Sequence, residues 1–289
     1  MGAGIATPPA KLARGMGESK LNRYGVWKGG PVTPEQARTI EDLGYGSVWV
    51  GGVFTADLAY VEPLLAVTEN LTVASGIVNI WTSPVDETAA AFHRIEAAYP
   101  GRFLLGVGAG HPEASAEYRK PYDALVEYLD GLDAAGVPKE RRVLAALGPK
   151  VLKLSADRTA GAHPYLTTPE HTRQAREIIG PGALLIPEHK VVLSTDAPGA
   201  REIGRRTVDF YLTLSNYVNN WKRLGFNDED LTSPGSDAFI DAVVAHGTAA
   251  EIATRLNEHL DAGADQVLIQ VLGDKGLVDT LTSLADALG

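Results

Sequence analysis

The run Gly106-Val107-Gly108-Ala109-Gly110-His111 places one ionisable side chain directly after a glycine-rich turn. Glycine lets a flat ring approach the backbone closely, because no Cβ stands in the way. A histidine with an ordinary pKa of about 6.5 exchanges a proton at neutral pH, which suits chemistry that moves a proton along with electrons. His111 is therefore the candidate catalytic acid or base; hydrogen bonding to a bound ligand is its other possible role. The glycines half-match a dinucleotide fingerprint, but that loop should follow the first strand and open straight into a helix, and here Pro112 intervenes. A second candidate is Gly148-Pro149, which opens a helical stretch without a Ser, Thr or Asp cap. Its first amides are left for an anion, and a cofactor phosphate would satisfy them. The 7 histidines form no H-E-x-x-H or H-x-H pattern and there is no cysteine, so metal and thiolate chemistry are not expected.

The elements that must position these residues alternate. Short β-branched runs at Tyr24–Trp27, Ser47–Val50, Thr72–Ile80, Phe103–Val107, Arg142–Leu147, Ala162–Leu166, Val191–Ser194 and Gln266–Gln270 are separated by stretches of helical period. Thr33-Pro34, Ser83-Pro84 and Thr168-Pro169 each read as a hydroxyl N-cap before a proline at the first helical position, and Thr248 to Glu251 reads as a capping box. Gly44, Gly101, Gly136, Gly180, Gly225 and Gly263 mark helix ends. Alternating β and α units imply a parallel sheet, closed into a barrel or left open and doubly wound, and eight strands favour closure. The expected fold is thus α/β, a (β/α)8 TIM barrel, with the helical stretch from Ala197 to Val244 inserted between strands seven and eight. Residues 1–22 read as a loose N-terminal arm and 23–289 as one domain.

Composition narrows the class. A chain of 289 residues is long for one domain but suits a barrel, which typically takes roughly 250 residues. With 45% apolar and 21% charged residues and no apolar run approaching a span of about 20 residues, no membrane segment is expected. The net charge of −10 argues against a nucleic-acid partner and for a small-molecule one. The N-terminus lacks the apolar core of a signal peptide, so a cytoplasmic protein is expected.

Three segments in combination carry a resemblance. The strand Thr72-Val73-Ala74-Ser75-Gly76-Ile77-Val78-Asn79-Ile80-Trp81, the helix from Ser83-Pro84 to Tyr99-Pro100-Gly101-Arg102-Phe103, and the glycine run through Gly110 resemble the core of the luciferase-like monooxygenase superfamily. The run Ala146–Leu152 with Gly161–Thr172 is similar to the branch that uses the deazaflavin coenzyme F420. The resemblance covers most of Tyr24–Leu288 and is weakest from Ala197 to His246.

The resemblance implies a cofactor at the C-terminal ends of the strands. It implies a bulge with a non-prolyl cis peptide at Gly76-Ile77 beneath the central ring, with Gly108 and Gly110 bordering it. Asn79 would face the same side as Ile77, where its amide pairs with the ring edge or caps the following turn. The cofactor phosphate would lie at Gly148 and along the backbone of Tyr165, Leu166, Thr167 and Thr168; Thr168 can cap its helix at the same time. Trp27 and Trp49 read as barrel packing, whereas Trp81, just past the bulge, is the candidate substrate contact. The family's sugar-phosphate dehydrogenases carry an acidic residue and a histidine where this chain has Gly51-Gly52, and a glutamate where it has His111, so their chemistry does not transfer. The resulting expectation is an oxidoreductase moving a hydride between F420 and a small organic substrate, acting as a homodimer. The alternatives are an FMN-dependent monooxygenase and a catalytically silent cofactor-binding homologue.

Overall fold

The computed structural model describes residues 20–52, 55–110, 120–273 and 276–289. His111 lies outside the described residues, as does most of the N-terminal arm. A short 3-10 turn at Lys20–Arg23 leads into the first strand.

Eleven strands are described: β1 (Tyr24–Gly29), β2 (Ser47–Gly51), β3 (Thr72–Ser75), β4 (Val78–Asn79), β5 (Phe103–Gly108), β6 (Arg142–Ala145), β7 (Gly161–His163), β8 (Leu184–Leu185), β9 (Glu188–Val192), β10 (Val244–His246) and β11 (Val267–Val271). Every pairing between them is parallel, and the order runs β10-β9-β11-β1-β2-β3-β5-β6-β7-β8, with β4 beside β5. Parallel strands covered on both faces bury nearly every residue, which is why the sequence shows them as continuous apolar runs. The run Leu184–Val192 closes the barrel. On one side Ile186 N and Glu188 N donate to Ala162 O and Pro164 O, both at 2.9 Å. On the other, Asp265 N donates to Leu185 O at 2.9 Å and Leu268 N to Pro187 O at 2.8 Å. A single strand, interrupted at Ile186-Pro187, therefore joins β7 to β11, and β11 pairs with β1. The result is the expected (β/α)8 architecture. Trp27, Trp49, Ala74, Leu104, Val143, Leu184, Ile186 and Leu268 fill its interior.

The covering helices are α1 (Pro34–Asp42), α2 (Val61–Leu65), α3 (Val85–Ala98), α4 (Pro121–Ala134), α5 (Pro149–Arg158), α6 (Pro169–Ile179), α7 (Ala197–Leu212), α8 (Ser215–Arg223), α9 (Asp237–Val243), α10 (Ala249–Asp261) and α11 (Leu277–Leu288). Thr33 and Thr248 form complete capping boxes, and Thr168 caps α6 by accepting from His171 N. All six glycines expected at helix ends have φ between +72° and +102°, the left-handed region that closes a helix without a Cβ penalty. The expected insertion is present as α7, α8 and α9. Its own apolar cluster, built on Val208, Tyr217, Trp221, Phe239 and Ile240, packs onto Leu166.

Three expectations are corrected. Ser83 does not cap α3: its N–H donates to Asn79 O at 3.0 Å, and Pro84, in extended conformation, occupies the cap position. The seventh strand begins at Leu184, not Val191, because the polar residues Glu188, His189 and Lys190 are fully buried within it. The helical stretch from Ala197 ends one residue earlier than expected, at Val243, because Val244 opens an unanticipated strand, Val244–His246, parallel to β9.

Candidate functional site

The strand ends carry the chemistry. The peptide bond between Gly76 and Ile77 is cis. Around it the backbone is bare because neighbouring groups demand it: a Cβ on Gly106 would sit 2.0 Å from Ser75 O, and one on Gly108 would meet the Ile77 side chain at 3.0 Å. The indole of Trp27 lies across three strand ends. Cβ atoms on Gly51 and Gly76 would stand 2.1 Å from its Cζ2 and 2.7 Å from its Nε1, and one on Gly29 would be 3.5 Å from Cζ3. This gives a physical reason for glycine at position 51, since the six-membered ring of Trp27 fills the side-chain space there. Trp27 is 9% exposed, and its Nε1 is buried without a hydrogen-bond partner.

Asn79, Trp81 and Gly110 are brought together beside this bulge. Asn79 Oδ1 accepts from Trp81 N at 3.0 Å, so the amide caps the turn, while its Nδ2 lies 2.9 Å from where a Gly110 Cβ would be. Trp81 Nε1 donates to Ala109 O, which pins the indole to the rim.

Facing them is a cluster that the sequence reading did not anticipate. Glu188 and Lys190, two apart on β9 and therefore on one side of it, are both 0% exposed. Lys190 Nζ reaches Glu188 Oε1, Glu188 Oε2 and Gln270 Oε1, each at 3.1 Å, and stands 3.8 Å from the centroid of the Tyr165 ring. Burial pushes the Glu188 carboxyl up and the Lys190 ammonium down, and each charge opposes the other's shift. The three acceptors around Nζ match the three donors of an ammonium, so the geometry fits an ion pair. Tyr165 donates to Gln270 Oε1 at 2.8 Å and accepts from Tyr211 at 3.4 Å, and its ring lies 4.9 Å from Trp27. His163, stacked on Trp49 at 4.6 Å, donates from Nδ1 to Ile186 O at 2.8 Å. Burial pushes its pKa down to about 4, so it is neutral at pH 7.

The turn after β7 is held by this cluster. Leu166 has φ +54°, its N–H donates to Glu188 Oε2 at 2.9 Å, and its carbonyl accepts from Trp221 Nε1 at 3.3 Å. The Leu166 amide is thus committed to a buried carboxylate and is not open to a phosphate, contrary to expectation; Tyr165, Thr167 and Thr168 are what remain of that backbone run. Thr167 Oγ1 is buried without a partner.

Gly148 caps α5 with no side-chain hydrogen bond, as expected. Only Arg223 Nη2, at 3.8 Å, would come within contact of a Cβ there. The inserted helix α8 thus brings an exposed guanidinium, bonded to Asn220 Oδ1 at 3.2 Å, to an uncapped helix start. His171 donates from Nε2 to Leu147 O at 2.9 Å beside it, and burial, followed by Arg223, pushes its pKa down. Arg223 lies so far from Gly148 along the chain that no local pattern could have paired them.

A cavity of about 1080 Å³ opens at the opposite end of the barrel, among Thr72, Arg102, Leu104, Arg141 and Leu184. Its cations are occupied structurally: Arg102 donates to the Leu71 and Thr68 carbonyls, and Lys139 to the carbonyls ending α5. Among the described residues no group of three or more His, Asp or Glu converges to hold a metal.

Residues 31–183 match the family model for luciferase-like monooxygenases. The chain belongs to this family. No curated protein matches it. Solved structures share the fold of this luciferase-like chain at low identity. An F420-dependent secondary alcohol dehydrogenase in complex with an F420-acetone adduct superposes with a TM-score of 0.72 at 14% identity, over 91% of this chain and 97% of that one. The coenzyme F420-dependent tetrahydromethanopterin reductase from Methanopyrus kandleri gives 0.66 at 14% identity over the same shares. The oxygenating constituent of 3,6-diketocamphane monooxygenase from Pseudomonas putida, in complex with FMN, gives 0.60 at 13% identity, over 88% and 89%. Among the described residues no helix is long and apolar enough to cross a membrane.

Proposed function

We propose that this luciferase-like chain is an oxidoreductase that transfers a hydride between the deazaflavin F420 and a small organic substrate. The observation that carries this reading is the uncapped α5 start at Gly148 with Arg223 beside it, at the same strand-end rim as the glycine-bare bulge at Gly76-Ile77. A phosphate needs free amides and a cation, and this corner supplies both. The ring would be held by Gly76, Ile77, Asn79, Gly108 and Gly110, and the phosphate by Gly148, Thr167, Thr168 and Arg223. When bound, the deazaflavin supplies the hydride, and the protein supplies orientation and electrostatics. FMN is the second reading, favoured by the FMN-bound neighbour.

Fluorescence titration of the purified apoprotein decides between them. F420 is expected to bind at least ~10-fold more tightly than FMN, a difference of about 1.4 kcal/mol. FMN binding as well or better overturns the cofactor assignment. The active species is proposed to be a homodimer, by resemblance; a monomeric mass in light scattering at micromolar concentration would count against it.

A further inference from the structure

We propose that the Tyr165 hydroxyl is the group that exchanges a proton with the substrate, and that the substrate is a small, mostly apolar molecule bearing one carbonyl or alcohol oxygen. The inference rests on the hydride-transfer reading above and adds the proton carrier and the substrate class. Five elements converge on this side chain: the turn after β7 supplies it, β11 and α7 bond its hydroxyl through Gln270 and Tyr211, and β1 and β9 set Trp27 and Lys190 against its ring. Tyr165 and Tyr211 are half-buried, whereas Glu188 and Lys190 behind them have no exposure. The phenol therefore stands between solvent-accessible space and a sealed ion pair. On its other side Trp27, 4.9 Å away, carries the wall across to Gly76 and the cis bulge. A site walled by Trp27, Tyr165 and Tyr211 favours an apolar body, with the phenolic oxygens as the polar contact for one ligand oxygen.

The hydrogen bonds allow the hydroxyl to turn. In the structure Tyr165 donates to Gln270 Oε1, which also accepts from Lys190 Nζ at 3.1 Å. When Tyr165 redirects its O–H to a substrate oxygen, Gln270 keeps the lysine and is not left unsatisfied. Tyr211 donates to the Tyr165 oxygen, so a phenolate formed there retains a donor, and the ammonium 3.8 Å from its ring adds a favourable charge. In the reducing direction the carbonyl carbon accepts the hydride from the reduced cofactor and forms a C–H bond. The carbonyl oxygen takes the proton from Tyr165, giving the alcohol and a phenolate that regains its proton from solvent by way of Tyr211. In the oxidising direction the steps reverse: Tyr165 first loses its proton to solvent by way of Tyr211, and the phenolate then takes the alcohol proton as the hydride leaves the carbon. Burial raises the Tyr165 pKa well above its usual value, which keeps the proton on the resting hydroxyl.

The test separates contact, proton transfer and cofactor. Protein labelled with 3-fluorotyrosine gives one fluorine resonance per tyrosine, and the one missing from Tyr165→Phe belongs to Tyr165. Cyclohexanone added to the apoprotein is expected to move that resonance, and cyclohexane, which lacks the oxygen, to move it much less. A resonance that ignores cyclohexanone, or answers both probes equally, overturns the proposal whatever cofactor binds. With the reduced form of whichever of F420 and FMN binds, Tyr165→Phe is expected to lower cyclohexanone reduction by roughly 10²–10⁴ while cofactor affinity is unchanged. A loss under about threefold also overturns it. If neither cofactor binds, the hydride-transfer reading falls and the fluorine measurement alone decides the contact.

Discussion

At the scale of single residues, Trp27 governs the barrel mouth more than any glycine beneath it. Gly51→Ala would drive a methyl to 2.1 Å from the Trp27 ring and 2.8 Å from Gly76 O, so the indole must leave its seat. Overpacking of this kind costs about 1–3 kcal/mol, and the denaturant midpoint should fall together with a change in tryptophan fluorescence. An unchanged midpoint would mean that the indole has room elsewhere. Arg223 makes a different prediction, because it is exposed and its attraction for an anion is screened. Arg223→Gln should weaken the cofactor by about fivefold at low salt, ~1 kcal/mol, with the gap closing as salt rises. Equal affinity at every ionic strength would move the phosphate elsewhere. The uncapped helix start at Gly148 and the turn-capping amide of Asn79 were legible in the sequence because both follow from local cap chemistry, whereas the cis bond at Gly76-Ile77 was implied only by the resemblance. Tyr165, Glu188, Lys190 and Gln270 were not legible as a set, because their meaning comes from pairing across strands distant in sequence.

At the scale of elements, the strands were recovered wherever apolar residues run unbroken, as in β2 and β5, and mislaid where the barrel encloses charge. Glu188-His189-Lys190 has the composition of a turn, yet its ends pair on Gln270 and Leu166 and its middle residue reaches His259 at 3.0 Å. The inserted helices were legible as helices but not as part of the site. Trp221 on α8 shows the connection: it packs at 4.8 Å on Phe239 and donates to the carbonyl of Leu166, the residue with positive φ. Trp221→Ala should cost about 3–5 kcal/mol through the cavity it opens. It should also raise amide exchange at Leu166 relative to β2, since the turn loses one of its two anchors. Protection at Leu166 that survives the change would assign its geometry to Glu188 alone.

At the scale of the whole molecule, four buried histidines set the acid limit of the fold. Burial pushes His163 down to about 4 and His189 to about 3, and lowers His171 and His259 as well. Each has a folded pKa below its unfolded value of about 6.5, so in the window between them the unfolded chain binds more protons. Stability is therefore fully present above about pH 6.5 and declines as pH falls toward 4, by about 3 kcal/mol for His163 alone. Urea midpoints at pH 7.5 and about 5 should differ accordingly, and a flat profile would show that these imidazoles titrate freely.

Closure through Leu184–Val192 also bears on how the chain is made. β1 leaves the ribosome well before its partner β11, which follows roughly 240 positions later, in the register Tyr24 to Val267. At about 5–20 residues per second the outer edge of β1 stays unpaired for tens of seconds during synthesis. Over that interval the nascent barrel is an open sheet whose exposed edge is a strand with four consecutive buried residues, a ready template for pairing with another chain. Strand β11 is thus the step that hides the open edge of β1, and a chain cut short before Val267 could not close.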